Sequence, residues 1–133
     1  MLQAGQLVLR HSISVIICEH ARQAEFVDRF SRLFASALGG FTQITQVGGW
    51  VMQSDANDAL AGQLVTERNI EVSASFDKAD NQFWLDFSTL VHEYWLGCDQ
   101  DAVAVGEDGA LNIYMDRNAY HQALLVWCAR VDL

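Results

Sequence analysis

The sequence contains no proline among its 133 residues, so its nine glycines are left to mark the turns. Long apolar runs are missing too. The longest, such as residues 15–18 and 123–127, are far shorter than the roughly 20 residues that a membrane-spanning helix needs. The N-terminus shows no basic stretch followed by a long apolar block, which disfavours a signal peptide. We therefore expect a cytoplasmic protein without a membrane segment.

Cysteine is scarce, and the three residues, at positions 18, 98 and 128, are far apart in the chain. An odd number of widely separated cysteines is not typical of a disulfide framework. Each has apolar neighbours, which predicts buried free thiols.

Basic side chains are also few, with 8 Lys and Arg against 17 Asp and Glu, and a net charge of −9. Residues 53–116 hold 13 acidic and 2 basic side chains, so the acidic excess lies entirely in this part of the chain. Ordinary nucleic-acid binding needs a basic surface, and we expect none. The charge is compatible with a basic protein partner, and equally with a role in solubility alone.

Hydrophobic residues make up 51% of the chain, enough for one domain spanning residues 1–133. Residues 7–17 and 63–76 alternate between apolar and polar and predict strands, as does the segment 41–52 with Gly48-Gly49 marking a bulge or a close backbone approach. Residues 19–40 and 77–97 have helical periodicity, with Asp77 or Asp80 as a cap for the second helix. Residues 53–62 are read as a polar loop.

Residues 102–115 predict a hairpin around a Gly-rich turn. The tail, residues 117–133, fits a helical turn at first and a buried strand afterwards, and we expect a strand. The order β-α-β-β-α-β predicts an α+β, ferredoxin-like antiparallel sheet with two helices on one face, plus an extra C-terminal strand or hairpin.

Residues 39–115 contain the segments GGFT, GGWV and GQLVTERNIEV, followed by a predicted helix and the segment AVAVGEDGALNIYM. In this pattern the chain resembles short uncharacterised α+β proteins of phages and other mobile elements. The resemblance rests on glycines and alternation and brings no catalytic residues with it. It implies an accessory or host-interaction role.

Motifs of known catalytic chemistry fail on their spacing. HEYWL (92–96) lacks the second histidine of the HExxH zinc motif, and Cys18, His20, His92 and Cys98 lack the usual spacing of structural zinc ligands. Ser88 and His92 share one helix face, but Asp86 lies too far round the helix to orient the histidine. Phosphate-binding glycine loops are absent. We expect no catalytic residues, no metal and no cofactor.

Two surfaces remain as candidates for binding. Glu67, Asn69 and Glu71 lie on the outward face of a strand, with Trp50 on its neighbour, and form either a partner-binding face or a solvated sheet face. The second helix carries a further apolar stripe opposite its core face: Leu85, Thr89, His92 and Leu96. We expect this stripe to form the interface of a homodimer, although the C-terminal segment would cover it equally well.

These observations favour a small non-catalytic binding or protein-interaction module. One alternative is an acidic inhibitor that mimics nucleic acid and blocks a host defence protein. The other is a small enzyme that uses His92 or His11 as a general base beside Glu67, Glu71 or Asp99.

Overall fold

The computed structural model describes residues 10–51 and 62–131, which form five strands and three helices. The strands are β1 (His11–Ile17), β2 (Thr42–Val51), β3 (Leu64–Phe76), β4 (Val103–Glu107) and β5 (Ala110–Tyr114). The helices are α1 (Gln23–Leu38), α2 (Asn81–Gly97) and α3 (Arg117–Val131). Two predicted segments lie outside the described residues. They are the start of the first strand, residues 7–9, and the polar loop except for its last residue, Gly62.

The strands form one antiparallel sheet in the order β2-β3-β1-β4-β5. The first four strands have the ferredoxin-like order, and β5 extends the sheet beyond β4. The predicted hairpin is present. Its two-residue turn, Asp108-Gly109, has positive φ at both positions, the conformation that matches the twist of the flanking strands. The predicted α+β fold class is confirmed.

Alternation divides each strand between two faces of the sheet. One face carries Ile13 and Val15 of β1 and Val72 of β3, which are fully buried beneath α1 and α2. The core face of α2, opposite the stripe of Leu85 and Leu96, completes this layer, and the aromatic rings of both helices pack edge to face. Its buried members are Phe83, Trp84, Phe87, Leu90, Val91, Tyr94 and Trp95. None of the helices in residues 10–51 and 62–131 lies on the other face of the sheet.

The predicted helix boundaries follow from capping. The carboxylate of Asp80 accepts a hydrogen bond of 2.9 Å from the backbone N–H of Phe83 and so satisfies one free donor at the start of α2. At the end of α1, Gly39 adopts a left-handed conformation (φ 92°), and its N–H binds the carbonyl of Ala35.

Gly48-Gly49 makes a close backbone approach and not a bulge. The register between β2 and β3 continues without interruption from Thr42↔Ser73 to Val51↔Leu64. A Cβ atom added at Gly49 would lie 2.8 Å from the carbonyl oxygen of Val65, closer than packed atoms tolerate. The glycine pair therefore keeps these two strands in contact.

The prediction of a strand for the tail is wrong, because residues Arg117–Val131 form the helix α3. Asp116 begins it by accepting hydrogen bonds from the N–H groups of Asn118 and Ala119. Tyr120, Leu124 and Trp127 recur at helical spacing and are buried against α2 and β5. The apolar run at 123–127 concealed this period. None of the three helices in the described part of the chain has the length together with the hydropathy of a membrane span.

Candidate active site on the open face of the sheet

We call the sheet face on which no described helix lies the open face, and it is polar near its centre. Register places Ser12 and Ser14 of β1 opposite Ser75 and Ser73 of β3. At the open-face positions of the five strands, the only charged residues are Glu67 and Glu71. The described part of this face is therefore negative, and a cationic group would be attracted to it.

A cavity of about 310 Å³ lies on the open face over β1, β3 and the β4–β5 hairpin. Its polar lining comes from Ser12, Ser14, Ser73 and Glu71, and its far wall from Gly109 to Leu111 together with Gly106. Directly opposed side chains on neighbouring strands start about 5 Å apart. The hydroxyls of Ser14 and Ser73 can therefore reach the same small ligand.

Gly106 makes room for this cavity. It is paired with Ser14 on one side and with Leu111 on the other. A Cβ atom at Gly106 would lie 2.1 Å from the hydroxyl oxygen of Ser14, so any larger residue would displace that hydroxyl. Glycine thus lets Ser14 lie across the floor of the cavity.

Glu71 is half-buried, and among the described residues it has no hydrogen-bond or ion-pair partner. A carboxylate held near serine hydroxyls without a cation is suited to binding a positively charged ligand group. Glu67 interacts instead with Cys18. Burial raises the pKa of the Cys18 thiol, and the negative charge of Glu67 raises it further. The two glutamates are therefore not equivalent.

The residues of the predicted binding face lie on the neighbouring strands β2 and β3, and their role in binding a partner stays a prediction. Glu67, Asn69 and Glu71 share the open face, and Trp50 pairs in register with Val65 of β3. The side-chain oxygen Oδ1 of Asn69 is buried and has no hydrogen-bond partner among the described residues. The serines and Gly106 were missed in the sequence. The register of β1 against β3 brings the serines together, and the register of β1 against β4 places Gly106 beside Ser14.

A histidine–carboxylate pair is present, but not one that we predicted. Nδ1 of His11 lies 3.2 Å from the carboxylate of Asp108, which also accepts a hydrogen bond of 2.9 Å from the backbone N–H of Ser12. The ring of His11 packs near Phe76 and Trp127 at the end of the sheet. The pair fixes the hairpin turn beside the cavity. The predicted partners Glu67, Glu71 and Asp99 do not take part in it.

His92 lies on the other side of the molecule, between α2 and α3. Its ring is near those of Tyr120 and His121, so α3, the C-terminal segment, covers this part of the stripe predicted on α2. Burial, followed by the positive charges of His121 and Arg117, lowers the pKa of His92. Leu85, Thr89 and Leu96 remain exposed, and the homodimer interface that includes them stays a prediction.

The cysteines and histidines considered for zinc do not form a cluster. The described residues include no group of three or more His, Cys, Asp or Glu side chains placed to hold a metal. Ser88 and His92 both line a groove between α2 and α3, and no carboxylate is paired with this histidine among the described residues.

Comparison with known proteins gives a fold but no family. No family model matches the chain, and no curated protein is similar to it. A solved structure of a phage SAM lyase in complex with S-methyl-5′-thioadenosine is similar in fold, at 16% sequence identity and a TM-score of 0.51. The match covers 85% of this chain and 94% of that chain. A phage SAM lyase in the apo state matches with a TM-score of 0.47 at 16% identity, over 82% of this chain and 94% of that chain.

This likeness overturns the expectation of a non-catalytic module, because the protein that shares the fold is named as an enzyme. It agrees with the resemblance to phage proteins at the level of fold. A basic protein partner stays a prediction.

Proposed function

We propose that the chain is a small enzyme that acts on SAM (S-adenosylmethionine) or a related adenosyl sulfonium compound at the open face. The observation that carries this proposal is the half-buried carboxylate of Glu71 beside serine hydroxyls, on a face with no positive charge at its strand positions. The fold shared with a SAM lyase supports the substrate class.

SAM offers the groups that this cavity complements. Its sulfonium is a cation, and Glu71 supplies the opposite charge. Its ribose and amino-acid arm carry hydrogen-bonding groups within the capacity of Ser12, Ser14 and Ser73. The exposed side chains of Leu111 and Ile113, on the open face of β5, provide an apolar surface for the adenine ring.

The charge change of the reaction gives Glu71 its role. Breaking the bond between sulfur and the amino-acid arm of SAM leaves S-methyl-5′-thioadenosine, and the electron pair of that bond neutralises the sulfonium. A lyase breaks the bond without adding water, so an oxygen of the substrate's own carboxylate bonds to the carbon that loses sulfur, and the arm leaves as a lactone. Glu71 binds and orients the cationic substrate and loses this attraction once the thioether has formed, which favours release of the product.

Turnover of SAM by the purified chain tests the proposal. We expect S-methyl-5′-thioadenosine to accumulate, as followed by liquid chromatography. Glu71→Gln should lower kcat/KM at least about tenfold, because a hydrogen bond or contact to a charged group contributes about 1.5–3 kcal/mol.

Asp86→Asn is the matched control, since it removes one carboxylate from the exposed face of α2, where its partner is Gln82. It should leave kcat/KM unchanged. The proposal is wrong if the folded chain leaves SAM intact, or if Glu71→Gln and Asp86→Asn have equal effects.

A further inference from the structure

A second cavity, the α2–α3 groove, lies on the helix side of the molecule, away from the open face. It measures about 400 Å³, and its lining is mostly apolar. Its walls include Trp84 and Leu85 of α2 and Leu124, Leu125 and Cys128 of α3. Leu85 is 62% exposed and Leu125 is 51% exposed, so the groove opens to solvent along its length.

A row of polar groups interrupts this apolar surface. Trp84, Ser88 and His92 follow one another at intervals of four residues and all line the groove. With a rise of 1.5 Å per residue, the row extends about 12 Å along α2. Nε1 of Trp84 and Nε2 of His92 are buried and have no hydrogen-bond partner among the described residues. Buried polar atoms of this kind are costly unless something binds them.

Basic side chains surround the end of the groove at His92. His121 lines the groove as well, and Arg117 lines an adjoining depression together with His92. Asp116 also borders that depression, but its carboxylate is engaged by the N–H groups that begin α3. The charges acting on the His92 imidazole are those of His121 and Arg117, in a chain whose net charge is −9.

We infer that the α2–α3 groove binds a small amphiphile with an apolar body and a carboxylate head. The body lies along Leu85, Leu124 and Leu125, and the head lies at His92, His121 and Arg117. The carboxylate pairs with the imidazole of His92 in its protonated state and with the guanidinium of Arg117. This site is separate from the open face and does not depend on the reaction proposed there.

Titration with decanoate and with decanol tests the inference. The two probes share an alkyl chain and differ in the head group. We expect decanoate to bind about tenfold more tightly than decanol, because only decanoate makes a charge-assisted hydrogen bond. Bound decanoate should also raise the pKa of His92 in an NMR titration, because a nearby anion favours the imidazolium.

Variants separate the head site from the walls. His92→Gln should make the affinity for decanoate about equal to the affinity for decanol. His20→Gln is the control and should preserve the tighter binding of decanoate. Nδ1 of His20 accepts a hydrogen bond from the N–H of Arg22. Leu125→Glu changes an exposed residue, so the fold should persist while a negative charge in the groove weakens decanoate binding at least about tenfold.

Several outcomes would overturn the inference. One is equal affinity for decanoate and decanol; another is no binding of decanoate to the folded chain. A third is a dimer, detected by sedimentation, that is dissociated by Leu85→Glu but not by decanoate. A second copy of the chain would then cover the groove.

Discussion

Two buried tyrosines differ in whether the side-chain hydroxyl has a hydrogen-bond partner. Tyr94 and Tyr120 are both fully buried, at 0% exposure. The hydroxyl oxygen of Tyr94 accepts a hydrogen bond of 2.8 Å from the backbone N–H of Cys18, whereas the hydroxyl of Tyr120 has no partner among the described residues. Burial raises the pKa of both hydroxyls, so both remain neutral. We therefore expect the tyrosine hydroxyl to stabilise the fold at position 94 and to destabilise it at position 120.

We expect Tyr94→Phe to lower the free energy of unfolding by about 1–3 kcal/mol, because it leaves the N–H of Cys18 without its partner. Tyr120→Phe should leave stability unchanged or raise it slightly, because it removes a buried hydroxyl that has no partner. Urea denaturation of the two variants measures the difference. Equal losses would show that the hydrogen bond to Cys18 contributes nothing.

Residues of the open face were only partly predictable. Alternation alone identified Glu67, Asn69 and Glu71 as outward-facing, because a strand has a period of two. It did not identify Ser14 or Gly106, because their importance comes from the pairing of β1 with β4, which the sequence does not encode locally. Asp108 was missed as the partner of His11 for the same reason: the two are 97 positions apart.

Among the elements, α2 has a start defined by one carboxylate. Asp77 and Asp80 were equal candidates from the sequence, and the structure assigns the cap to Asp80. Asp77 instead pairs with Arg10, and its side chain is 76% exposed.

Asp80→Ala should lower the free energy of unfolding by about 0.5–2 kcal/mol, the usual loss for a helix cap. Asp77→Ala should have a much smaller effect, because exposed ion pairs contribute little. Thermal unfolding monitored by circular dichroism compares the two variants. An equal or larger loss for Asp77→Ala would contradict the assignment of the cap.

The helices and strands with strong periodicity were predicted at nearly the right boundaries, and the tail was not. In α3, buried Leu124 and Trp127 flank exposed Leu125 and Val126, so the sequence shows one apolar block. Such a block fits a buried strand as well as a helix. Only packing against α2 and β5 separates the two faces of this segment.

On the scale of the whole molecule, the sheet separates two surfaces of different character. Its open face is polar near its centre, with carboxylates as its charged strand residues, whereas the helix side carries the apolar α2–α3 groove with basic side chains at one end. A cationic substrate and an anionic amphiphile would therefore bind on different sides of the same small protein. The net charge of −9 does not show that the two surfaces differ, because composition does not record which side of the sheet a charge occupies.

The location of the nucleoside tests the central claim most directly. We propose adding S-methyl-5′-thioadenosine, the stable thioether product, to ¹⁵N-labelled protein and following the backbone amide shifts. The account predicts concentration-dependent changes at Ser12, Ser14, Glu71, Ser73 and Gly106, with the amides of Leu124 and Leu125 unchanged. Changes confined to the α2–α3 groove, or no changes at saturating concentration, would contradict the assignment of the active site to the open face.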